Sequence, residues 1–147
     1  MKKIQTERGQ SLVEMAVSLV LLLLLLSGAV EFGMAFFQFI QLRDAAQEGA
    51  FYGSIDPPQT AALNDPSRLN IIARTQGASN TPINLSTITP TITIIGSACE
   101  STGNAIKVEL TYDHKIFMPF MSAALGGRTS IPLTASVTDT ILSPACP

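Results

Sequence analysis

Residues 15–30, bounded by Glu14 and Glu31, contain no charged side chain and include the consecutive leucines Leu21 to Leu26. A small soluble domain has no use for such a run. In lipid, every backbone polar group must be satisfied within its own segment, so a run of this kind folds as a helix. Its length approaches the roughly 20 apolar residues that a hydrocarbon core demands. Charged residues make up 14% of the 147-residue chain, against roughly 25% in soluble domains, which fits a protein partly solvated by lipid.

Lys2, Lys3 and Arg8 precede the run, opposed by Glu7. A basic flank on that side implies a cytoplasmic N-terminus and an outward C-terminal part. Three of the 9 basic and one of the 11 acidic residues fall within 1–9, leaving 6 and 10, a formal −4. No basic patch remains to neutralise phosphates, which argues against a nucleic-acid partner.

From Gln10 to Gly53 there is no proline, and Pro57-Pro58 then forbids continuation. A helix over 10–53 would be about 66 Å long, roughly twice the hydrocarbon thickness, so its second half must leave the membrane. We place the span at about 12–34. Beyond it, Gln38, Gln41, Asp44 or Ala45, and Glu48 read as a polar stripe. The opposite side carries Ala35, Phe39, Leu42, Ala46, Gly49 and Gly53 as a heptad-like seam. Ala45, Gly49 and Gly53 add a row of small residues that permits close approach. The seam suits either the protein's own globular domain or a neighbouring helix.

Residues 54–147 form the expected β-rich domain. Asp65 and Pro66 predict the start of a short helix that Gly77 ends, with Leu69, Ile72, Ala73 and Gln76 on one face. Thr91 to Ile95 is β-rich. Ile106, Val108, Leu110 and Tyr112 alternate with polar residues, as do Ile131, Leu133, Ala135 and Val137. Gly96 to Asn104 reads as a turn between the first two strands. Ile116 to Leu125 reads as a buried loop or short helix before the last strand, and Gly126-Gly127 as a turn. The expected class is α+β: a long N-terminal membrane helix followed by a small antiparallel sheet, pilin-like in outline.

Cys99 and Cys146 lie in no C-x-x-C pair. Outside the cytoplasm a Cys99–Cys146 disulfide is the expected state, stabilising the fold by roughly 4 kcal/mol in the chain-entropy model. His114, the single histidine, lies between Asp113 and Lys115 and reads as an exposed loop residue at a strand end. No nucleophile motif or phosphate loop is present. We expect no enzyme, no metal, no cofactor and no small-molecule substrate.

The sharpest signal is Arg8-Gly9-Gln10-Ser11-Leu12-Val13-Glu14. A carboxylate at the mouth of an apolar helix costs on the order of 2–3 kcal/mol if deeply placed. A cut after Gly9 would offset that cost. The new amine of Gln10 is a positive charge on the same helix face as Glu14, four residues on. Without such a cut, Glu14 would be an interfacial residue favoured by the helix dipole.

The stretch RGQSLVEMA and the helix behind it resemble pilin precursors cut by a prepilin peptidase, in the variant of the TadE-like pseudopilins of the tight-adherence (Flp) pilus machinery. Val30-Glu31-Phe32-Gly33, the later pattern IKVELTYDHKIFMPFMSAALGG and the IPLTASVT strand extend the resemblance. Met15 stands where the major Flp pilins have tyrosine, and the chain is longer than they are. Both differences favour a minor pseudopilin. The resemblance implies that residues 1–9 are a leader ending at Gly9, that Gln10 is the mature N-terminus, and that Glu14 is the assembly carboxylate. It also implies sibling pseudopilins or pilins, the pilus assembly platform and membrane lipid as partners, with the protein anchored in the bacterial inner membrane.

Glu31 reads mainly as the outer membrane boundary, with a partner role as the lesser alternative. Two other organisations stay open: a permanently anchored single-pass accessory protein, and a secreted domain cut after Ser27-Gly28-Ala29.

Overall fold

The structure is a computed structural model that describes residues 6–59, 62–96, 104–118 and 120–142. Its first element, α1, runs without a break over Thr6–Ile55, about 75 Å at 1.5 Å per residue. It stops there because Pro57 disfavours helical backbone at the preceding Asp56 and, like Pro58, offers no N–H. The last turn closes with the Asp56 N–H donating to the Tyr52 carbonyl at 3.0 Å and the Ser54 hydroxyl donating to the Phe51 carbonyl at 2.7 Å.

The described residues fall into two compact units, one within 1–34 and 115–131, the other within 35–114 and 132–147. The second unit holds the core. Leu42, Ala45, Ala46 and Ala50 of α1 pack with Ile71, Ile83, Leu85, Ile92, Ile106, Val108, Leu110, Ala135 and Ile141.

Helix α2, Pro66–Gly77, starts as its sequence requires. Asp65 accepts from the N–H groups of Ser67 at 3.0 Å and Arg68 at 3.4 Å, and Pro66 occupies the first turn. The helix ends at Gly77, as expected, and the following Ala78 is right-handed. One expectation needs correction. The buried face consists of Ile71 and Thr75, while Leu69 and Ala73 are exposed. The reason lies on α1. A Cβ on Gly49 would collide with the Thr75 hydroxyl, and one on Gly53 would come within 3.0 Å of Ile71 Cδ1 and 2.5 Å of Ile106 Cδ1. The small-residue row thus receives the Ile71–Thr75 line of α2 and the Ile106 side chain, and it serves the protein's own packing.

The sheet has the order β1-β2-β3, with β1 Thr91–Ile95, β2 Ala105–Lys115 and β3 Ser130–Thr140. Strands β1 and β2 pair antiparallel from Thr91↔Glu109 to Ile95↔Ala105. Ile106, Val108 and Leu110 are buried and Tyr112 half-buried, with Leu133, Ala135 and Val137 inward on β3, as alternation predicts. The strand does not stop at Tyr112, however. Alternation continues one step to His114, which is only 2% exposed, so His114 is an inward strand residue and not an exposed loop residue.

In the first unit, residues 116–129 connect β2 to β3 through the short helix α3, Met121–Ala124. Gly126 and Gly127, at φ 71° and 83°, make the following turn. The short helix was expected, but the expected burial of this stretch is not found: Phe117 is 76% and Phe120 64% exposed.

Candidate functional site

The site indicated by the sequence is the N-terminal half of α1. From Leu12 to Leu26 the large apolar side chains are exposed, as a lipid-facing helix requires. α1 is the one described helix that is long and apolar enough to cross a membrane, from Gly9 onward. Gln10 and Glu14 are both exposed on it, one turn apart on a shared face. Open space surrounds Gly9. Gly9, Gln10 and Glu14 therefore lie together on one accessible stretch. Cys99 and Cys146 lie outside the described residues, as do residues 1–5 of the expected leader.

Glu31, expected mainly as the outer membrane boundary, also has partners inside the protein. It is 3% exposed, and its carboxylate accepts the backbone N–H of Phe117 at 3.0 and 3.2 Å and that of Met118 at 2.8 Å. A carboxylate beside an apolar span is costly unless donors replace its water. Here the 116–129 connection supplies them. The partner role, the lesser alternative in the sequence, is therefore present in the fold.

The expected polar stripe beyond Glu31 also needs correction. Gln41 is buried and closes a two-point pair with the backbone of residue 83. Its Nε2 donates to the Ile83 carbonyl, and its Oε1 accepts the Ile83 N–H, both at 2.8 Å. Gln38 Oε1 lies 2.6 Å from His114 Nδ1. Both glutamines border the line of Leu42, Ala45 and Ala46, so they belong to the packed face, while Asp44 and Glu48 remain exposed. The signal was present: positions 38, 41, 42, 45 and 49 share one side at helical spacing, and one further alternation step in β2 reaches His114.

With Glu31, Gln38 and Gln41 engaged internally, the outward side of α1 stays apolar past the expected boundary. Phe32, Phe36, Phe37 and Ile40 are exposed, and the first exposed charges beyond Glu14 are Arg43 and Asp44. Among the described residues, no three His, Cys, Asp or Glu side chains converge on a metal-binding arrangement.

Residues 9–50 match the model of a known family, described as TadE-like protein. The match begins at Gly9 and ends within α1, so the later IKVELTYDHKIFMPFMSAALGG pattern lies outside it. No curated protein and no solved structure matches the chain. Over residues 9–50, within the long helix, the chain is therefore similar to the TadE-like family, a likeness that supports involvement in the Tad pilus system.

Proposed function

We propose that the protein is a membrane-anchored pseudopilin, or minor pilin, that takes part in building a Tad-type adhesion pilus. A prepilin peptidase cuts it after Gly9. The span lies in the inner membrane with its N-terminus in the cytoplasm and the β-rich part outside. Its partners are the peptidase, sibling pseudopilins or pilins, the assembly platform and lipid. It carries out no catalysis of its own.

The observation that carries this reading is a coincidence in place. The TadE-like match opens at Gly9, where an accessible helical turn presents Gln10 and Glu14 on one face and leads into exposed apolar surface. The Gly9–Gln10 bond lies near the start of the described part of α1. Glycine weakens a helix by about 1 kcal/mol relative to alanine. The turn at Gly9 can therefore open into the extended form a peptidase binds. Cutting there leaves a cationic amine at Gln10, one turn from the Glu14 carboxylate of the same or a neighbouring subunit. The pair offsets the cost of placing Glu14 at the membrane edge. The unbroken course of α1 through Ser27, Gly28 and Ala29 favours an assembly helix over a signal segment removed after Ala29.

The deciding experiment is mass analysis of the mature N-terminus on protein recovered from its own host's membranes. A chain beginning at Gln10 supports the reading. An intact Met1 would make the protein a permanent anchor, and a start at Val30 would make it a secreted domain; either result would overturn the proposal.

A further inference from the structure

In the first unit, the connection between β2 and β3 lies against α1 at one level. Phe117 and Met118 donate their N–H groups to Glu31, and Met121 Sδ is 3.7 Å from where a Cβ on Gly28 would stand. Gly28 is about 27 Å along the axis from Gln10 at 1.5 Å per residue, close to the far edge of a hydrocarbon core of roughly 30 Å. The connection therefore meets the helix near the outer end of the span.

Its composition is unusual for a surface loop. Ile116, Phe117, Met118, Phe120, Met121 and Leu125 supply apolar groups, and Lys115 and Arg128 bracket them. Residues 115–131 contain no acidic residue. Phe120 takes up left-handed backbone at φ 73°, a strained conformation for a bulky residue, and its ring stays exposed. Water does not reward exposing two phenylalanines, but the boundary between headgroups and acyl chains does.

We propose that residues 116–127 are a second membrane-contacting element. Phe117, Phe120 and Leu125 enter the outer-leaflet interface of a lipid bilayer beside α1, and Lys115 and Arg128 engage anionic headgroups. Glu31 holds the element in place by its main chain, which leaves the side chains free to face lipid. Two features specify lipid as the occupant: the apolar surface is continuous with the exposed span on the same unit, and the flanking charge is purely cationic, suited to an anionic surface. The inference rests on α1 being the membrane span.

The chain has no tryptophan, so single tryptophans report depth without background. Full-length Phe117→Trp, Phe120→Trp, Leu22→Trp and Leu63→Trp variants would be reconstituted in phosphatidylethanolamine–phosphatidylglycerol vesicles, with and without lipids brominated near the headgroup end of the acyl chain. Leu22 lies in the span, and Leu63 is 82% exposed in the second unit. The expected result is blue-shifted emission from positions 117 and 120 that is lost with brominated lipid, while Leu63→Trp emits as a solvated indole. The cationic contribution reads out as weaker quenching of Phe117→Trp when Lys115→Gln and Arg128→Gln are added. Quenching of Leu22→Trp with solvated, unquenched emission at 117 and 120 would keep the span and overturn the second contact. A shift at 117 that disappears on dilution of protein in lipid would show a second copy as the occupant and also overturn it. Absence of quenching at Leu22 would remove the span and the inference together.

Discussion

The Glu31 carboxylate and the Met118 N–H, 87 residues apart in the chain, meet at 2.8 Å. One side chain thereby satisfies two backbone donors of the 116–129 connection. It also hides a charge that would otherwise interrupt the apolar surface of the helix.

Replacing Glu31 with alanine should release that connection. Orphaning these part-buried donors costs up to about 1–3 kcal/mol, enough to raise the open population by as much as roughly 5- to 150-fold. Trypsin acting on the full chain in detergent micelles should then cut faster after Lys115 and Arg128. Glu31→Gln, which keeps one acceptor oxygen, should stay nearer the parent rate. Identical cleavage of all three proteins would mean that the contact does not hold the connection.

Gln41→Ala tests the two-point pair with Ile83. Both partner groups are buried, and each loses the Gln41 amide atom bonded to it. The expected loss is about 1–3 kcal/mol for each buried group left unsatisfied, seen as a lower denaturation midpoint. Glu48→Ala, an exposed position on the same helix, should change stability by less than about 0.5 kcal/mol. Equal effects of the two would refute a packed role for Gln41.

Gly49→Ala should cost about 1–3 kcal/mol, because the added methyl meets the Thr75 hydroxyl, itself bonded to the Ile71 carbonyl at 2.8 Å. Gly77→Ala meets nothing within 4 Å and should be neutral or stabilise by up to about 1 kcal/mol. Thermal unfolding of the two variants in the same detergent separates close approach from helix propensity.

Glu14→Ala separates insertion from assembly. Membrane recovery should match the parent, since removing the carboxylate lowers the insertion cost by on the order of 2–3 kcal/mol. Incorporation into pili, or crosslinking to sibling subunits, should fall sharply. Normal pilus assembly by the variant would reduce Glu14 to an interfacial residue.

What the sequence determined by itself was everything set by local rules. A run without charge or proline makes a long helix. Asp65-Pro66 starts α2, and period-two alternation yields β2 and β3, because backbone propensity and hydrophobic period act over a few residues. The helical placement of Gly9, Gln10 and Glu14 followed for the same reason. Tertiary structure alone decided the fate of the polar residues. Whether Glu31, Gln38, Gln41 or His114 faces water depends on whether a partner from far along the chain arrives with matching donors and acceptors. A buried polar group is tolerated only when such a partner is present, and hydropathy pattern carries no record of it. The choice of Ile71 and Thr75 as the inward line of α2 has the same origin, since it follows from where Gly49 and Gly53 leave room. The exposed phenylalanines at 117 and 120 were the reverse case: apolar residues that the pattern assigned to a core and the fold turned outward.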